Sequence, residues 1–308
     1  MIRQRKKIAN AYFAFEENLK YLDFVYDEMR ERLRNMYAMR KTTLTEADVK
    51  REIEMRTKGK TLRAAVNYLS GRPNELDVKS RIDHQFSMNR ARVLAEEIIS
   101  YEETLQGVVK ERKEEKEELY SYKETYKEAV RDLEEYIKTR EDIKVTLKEY
   151  FNLQRMVRLY IEVCQRGNAY YEEIKEVERR VQGSIRLSNK RLGQKPDFEV
   201  HLQTAYTGQA KKWTNNAERL QLEFVAQART LAFYTDEKFQ EAGKIAYSPY
   251  LFGATAQKLL TQRKGDEFAA LLEEAKDQLA EQLLDWETKK QQVIVESNAM
   301  ADALGLRI

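Results

Sequence analysis

The chain has 308 residues, 42% of them apolar and 35% charged, with a formal net charge of +3. Only three residues are Pro and eleven are Gly; so little punctuation excludes sandwiches and doubly wound sheets and favours long helices. Cys164 is the only cysteine, which excludes an intramolecular disulfide and suits a reducing compartment.

The charge is uneven along the chain. Residues 1–95 hold 21 basic and 13 acidic side chains, a balance of +8; residues 96–181 hold 17 and 22, a balance of −5. A basic end joined to an acidic rod favours contact between copies, or anion binding at the basic end.

The first residues form a basic cluster, Arg3, Arg5, Lys6 and Lys7. Glu16, Glu17 and Lys20 interrupt the segment Ile8 to Leu22, so it lacks the apolar run of a signal peptide. No stretch reaches the roughly eighteen apolar residues that a membrane-spanning helix needs. The expectation is a cytoplasmic protein, or a virion protein if viral, neither secreted nor membrane-spanning.

Ile8, Tyr12, Phe15, Leu19, Leu22, Tyr26, Met29, Leu33 and Met36 recur at spacings of three and four and predict a helix from about Arg3 to Arg40. Lys41-Thr42-Thr43 predicts a turn. Thr43 with Glu46 forms a capping-box pattern that restarts a helix to about Arg56. Lys58-Gly59-Lys60 breaks it, Thr61 caps a short helix to Leu69, and Ser70 to Asn74 is a strong stop. Residues 1–73 thus read as a basic helical region.

Residues 74–182 read as a long central rod. Its seam runs Ile98, Tyr101, Leu105, Val108, then Arg112 and Glu115, then Leu119, Tyr122, Tyr126, Ala129, Leu133, Tyr136, and on through Ile143, Leu147, Tyr150, Val157 and Ile161 to Cys164. Such heptad spacing predicts one coiled-coil-like helix of about 100 Å at 1.5 Å per residue. Val109, Val130, Ile137 and Phe151 widen the stripe, as in a bundle with two neighbours. Glu111 and Glu118 precede Lys116 and Lys123 as in a parallel two-stranded coil. Arg112 and Glu115 imply solvation between Lys110 and Glu118, where neighbouring helices part. Gly167-Asn168 predicts a kink or a short break. The fold class expected is all-α, an elongated helical bundle around a heptad-patterned central helix.

Residues 183–198 read as a basic linker. Between Glu178 and Asp197 there is no acid, but there are Arg179, Arg180, Arg186, Lys190, Arg191 and Lys195. Such a window either neutralises phosphates of nucleic acid or lipid, or contacts the chain's own acidic rod. Residues 199–308 read as a second helical region, with stripes Trp213 to Leu231 and Phe268 to Trp286 and weak alternation over Asp197 to Tyr206 that admits one strand. Between the stripes lies an aromatic corner, Tyr247, Pro249, Tyr250 and Phe252, which either plugs a helix junction or offers a docking patch.

No zinc spacing surrounds His84 or His201, no Glu-x-x-His suggests a di-iron bundle, and no glycine-rich phosphate cradle occurs. The function expected is a non-enzymatic structural subunit without cofactor. It assembles with itself or other chains, as a virion internal or connector component or an intracellular coiled-coil adaptor. The alternatives are a nucleic-acid-binding protein using residues 179–195 and the basic N-terminal third, and a peripheral protein on anionic membrane.

Overall fold

The computed structural model describes residues 2–57, 75–137, 143–190, 196–235, 244–249, 251–252, 256, 259 and 264–306; within its helices the side chains of residues 52–57, 75–83, 86, 143–146, 184–190, 196–211 and 213 are not described. The protein is an all-α bundle: α1 Ile2–Thr57, α2 Glu75–Ile137, α3 Ile143–Lys190, α4 Pro196–Tyr234 and α5 Gly265–Ala303, with a 3-10 turn at Ile245–Tyr247. The described residues contain no strand, so the stretch Asp197 to Tyr206 is helix rather than strand. No described helix is long and apolar enough to cross a membrane.

The chain divides into two units, Met1–Val25 with Glu111–Ile308, and Tyr26–Lys110. In the first, α1 runs antiparallel to α2. Arg5 pairs with Asp132 at 2.7 Å, Tyr12 stacks on Tyr126 at 4.1 Å, and Asp23 meets Arg112 at 2.5 Å. The same part of α1 runs parallel to α3, where Phe13 meets Phe151, Glu17 meets Arg158 and Tyr21 meets Arg166. α4 and α5 both run antiparallel to α3: Asn216 bonds Glu173, and Lys276 bonds Glu178.

The seam is therefore not one rod. Its residues are divided between α2 and α3, which run in opposite directions on either side of α1. Phe13 shows this directly, because its ring lies 5.5 Å from both Tyr126 and Phe151. On one unbroken helix those two residues would stand about 37 Å apart. Leu133 and Ile137 of α2 share a core with Leu147, Tyr150 and Phe151 of α3, Ala9 of α1, and Ala301 and Leu306 at the end of α5. The apolar stripe simply resumes on the returning helix.

Along α2 in this unit the neighbour is α1 of the same chain, antiparallel rather than the parallel partner that the Glu/Lys placement suggested. Arg112, expected where helices part, reaches Asp23 of α1 and stays half exposed. Tyr136 is exposed while the next residue, Ile137, is buried, so the buried arc has rotated by one position at the end of α2. In α3 the centre of burial is Leu159, Tyr160, Val163 and Cys164; Val157 and Ile161 are only half-buried beside it.

The larger core joins α3, α4 and α5 through Tyr170, Ile174, Phe224, Leu231, Phe268, Leu272 and Leu279, all fully buried. Each such side chain contributes about 1.5–3 kcal/mol by leaving water. Gly167 does not break α3. A Cβ there would meet Leu283 Cδ2 at 2.5 Å and Phe224 Cε2 at 3.0 Å, so its missing side chain lets α4 and α5 approach closely. α5 ends in a Schellman cap: Gly305 has φ +66°, its N–H donates to Asp302 O, and Leu306 N–H donates to Ala301 O at 2.8 Å.

In the second unit, α1 and α2 again run antiparallel. Tyr37 donates to Glu102 at 2.5 Å and Lys50 to Ser87 at 2.9 Å. Met29, Ala47, Ala91, Leu94 and Ile98 are buried; Tyr101 and Leu105 are half-buried. The turn expected at Lys41 to Thr43 is absent. Thr42, Thr43 and Thr45 donate their hydroxyls to carbonyls four residues back, Ala38, Met39 and Lys41, inside a continuous helix. The stop at Ser70 to Asn74 lies outside the described residues.

Candidate functional site

Helix α3 absorbs much of the basic window. Residues 183–190, expected in a linker, are its last turns, and α4 begins at Pro196. Arg179 and Arg180 both bond Glu176 one turn below them. These guanidiniums, Arg179 first, hold the Glu176 carboxyl down at about 2. Their described counter-charge is thus on their own helix, not on the acidic stretch of α2. Residues 179, 183, 186 and 190 fall on one face of α3 at 100° per residue. Gly183 on that face has open space where a Cβ would stand. Arg191 and Lys195 lie outside the described residues.

The N-terminal cluster is half committed to packing. Arg5 pairs with Asp132. Lys6 donates to Leu306 O at 3.4 Å and stands 5.0 Å over the Tyr150 ring. Arg3 and Lys7 are exposed.

The aromatic corner is a plug. Tyr247, Leu251 and Phe252 are buried; Tyr247 stacks on Phe224 at 5.7 Å and Phe252 meets Tyr170 edge-on. Tyr170 Oη and Gln221 Nε2 both donate to Ala246 O, and Gln221 also donates to Ser248 O at 2.9 Å. A buried glutamine thereby satisfies the carbonyls that the turn leaves open. Pro249 is half-buried and Tyr250 lies outside the described residues. The docking-patch alternative fails for Tyr247 and Phe252, which face the core.

The densest polar site is one that sequence reasoning missed. Glu17, buried on α1, accepts from Arg155 Nε at 3.1 Å and from Arg158 Nη2 at 2.6 Å. Glu16 accepts from Arg155 Nη2 at 2.6 Å. The Arg155 guanidinium lies between the Phe13 and Tyr234 rings, 4.6 and 4.4 Å from their centroids. Tyr234 donates to Glu16 O, which draws α4 into the same cluster. Next to it, Arg166 donates to Tyr21 Oη at 2.7 Å and pairs with Glu223. The pairing needs α1 parallel to α3, across more than a hundred residues of chain, and no local pattern announces it.

Burial pushes the Tyr21 and Tyr234 hydroxyls up to about 12 and the Cys164 thiol up to about 11. All three stay protonated at neutral pH. Cys164 is buried, as its place on the apolar seam implies. His84 Nδ1 lies 3.0 Å from Ala47 O, a helix-to-helix contact. Among the described residues no group of three or more His, Cys, Asp or Glu could hold a metal. Chemically the arrangement ties helices together by charge and by ring stacking. No family model matches the chain, and no curated protein or solved structure resembles it.

Proposed function

We propose that the protein is a structural subunit that assembles through its helices, with copies of itself or with other chains, into a larger particle or scaffold. The observation that carries this reading is the set of large apolar side chains left facing water on long helices. Leu284 is 72% exposed, Val295 67%, Tyr120 63% and Ile99 57%. Each returns about 25 cal/mol per Å² when covered, and a chain so rich in charge has ample polar residues to use in their place. A virion internal or connector component and an intracellular adaptor are the two settings that fit. Multi-angle light scattering over a concentration series tests the reading. A mass above the chain's own 36.5 kDa is expected; a monomer at every concentration, alone and with the products of adjacent genes, overturns it.

A second reading has its own support. The helical face carrying Arg179, Arg186 and Lys190 presents cations at about 10 and 6 Å intervals along the axis, suited to a phosphate backbone. Filter binding to DNA and RNA at rising salt tests it. Changing Arg186 and Lys190 together to Gln should weaken binding and flatten its salt dependence.

A further inference from the structure

The outward side of α5 carries a stripe without charge. Ala280, Leu284, Thr288, Gln291, Val295 and Ala299 are all exposed and lie within an arc of about 100°, opposite the buried face of the helix. The stripe extends about 28 Å along the axis. Leu284 and Val295 are the two most exposed large apolar side chains described. In a chain with 35% charged residues, a neutral stripe at the most solvated position of a helix calls for an occupant.

The order of residues names that occupant. Small, aliphatic, polar is followed by polar, aliphatic, small, at steps of four, four, three, four and four. A two-fold axis midway between Lys289 and Lys290 would set Leu284 on Val295 of an antiparallel copy. The same axis sets Thr288 on Gln291 and Ala280 on Ala299, each pair occurring twice. That single axis satisfies every position, which is the self-complementarity an isologous interface requires. The two lysines nearest the axis are engaged within their own helix, Lys289 with Asp285 at 2.9 Å and Lys290 with Glu287. We infer that α5 is a homodimerisation helix and that its partner is α5 of a second copy of this chain. The inference rests on the assembly reading above and specifies its surface.

Asp277 and Asp302 are exposed and close the two ends of the stripe. Under the same axis they face each other across the rim. Their repulsion is screened by salt, so association strengthens as salt rises. Polyanion binding by the cations of α3 has the opposite salt dependence.

The test uses the full chain in sedimentation equilibrium and mild oxidation. The wild type should sediment as a dimer or a multiple of it. Leu284→Glu with Val295→Glu should raise the dissociation constant at least about 100-fold by setting like charges against one another, with an unchanged melting curve. Leu284→Cys with Val295→Cys should give a covalent dimer, whereas each single substitution should not. Within one helix those positions stand about 16 Å apart, too far for an internal bridge, and Cys164 is buried. If the wild type assembles but the Glu pair leaves its mass unchanged and the Cys pair gives no dimer, the surface is wrong and the assembly reading stands. If the wild type is monomeric throughout, this surface and homotypic assembly fail together.

Discussion

Gly167 of α3 and Leu283 of α5 touch with no room to spare: a Cβ on Gly167 would come within 2.5 Å of Leu283 Cδ2. Two effects of opposite sign meet at this position. Ala favours a helix over Gly by about 1 kcal/mol, while overpacking a core costs about 1–3 kcal/mol. With Phe224 also at 3.0 Å, the clash has little room to relax. Gly167→Ala should therefore lower the urea midpoint. Gly183→Ala and Gly107→Ala, helical positions with nothing within 4 Å, should raise it by up to about 1 kcal/mol. The same sign at all three would show that α5 does not approach α3 as described.

A second expectation concerns the end of α2. Ile137 is 5% exposed and Tyr136 is 50% exposed. Ile137→Ala should cost about 2–5 kcal/mol, and Tyr136→Ala at most about half a kcal/mol. An unbroken heptad register demands the reverse order, so the pair of chemical denaturation curves decides between one rod and a hairpin.

Why the heptads misled is physical. Burial of Leu133, Leu147 and Tyr150 was legible because a long amphipathic stripe needs a neighbour whichever way the chain runs. The direction of that chain was not legible, because the stripe resumes on α3 with nearly the phase it had on α2. Gly167 read as a break because glycine weakens helices; its other use, close approach of a second helix, has no local signature. Thr43 read as a cap because the same hydroxyl serves a cap or a carbonyl four residues back. The Glu17 cluster joins helices α1 and α3 with no pattern linking them. The aromatic corner was visible as a cluster, but plug and patch differ only in what covers them.

The Glu17 cluster leads to a third expectation. Glu17→Gln leaves Arg158 without its carboxylate and Arg155 with only Glu16, in a site where Glu17 is 7% and Arg155 13% exposed. Removing one partner of a buried pair costs about 3–5 kcal/mol. Glu117→Gln, whose partner Lys113 is 79% exposed, should change stability by less than about half a kcal/mol. Adding Arg158→Gln to Glu17→Gln should recover part of the loss. A strictly additive double mutant in thermal or urea unfolding would mean that the two side chains are not coupled.

Alkaline pH gives a fourth. Burial, helped by the Glu287 carboxylate, pushes the Cys164 thiol up to about 11, and burial pushes the Tyr21 and Tyr234 hydroxyls up to about 12. In the unfolded chain a thiol ionises near about 8.5 and a tyrosine near about 10. Between the unfolded and folded values the folded protein holds more protons, so stability falls as pH rises through that window. Below about pH 8 these groups are protonated in both states and add no pH dependence. The urea midpoint should therefore decline from about pH 8.5, first through the thiol and then, above about pH 10, through the two hydroxyls as well. Cys164→Ala should flatten the first part of the decline and Tyr234→Phe the second, whatever each does to the plateau at neutral pH. Profiles that keep the wild-type shape in both variants would place the titrating groups elsewhere. A decline of unchanged shape in Cys164→Ala alone would mean that the thiol gains a solvated path which its position between α3 and Glu287 of α5 does not offer.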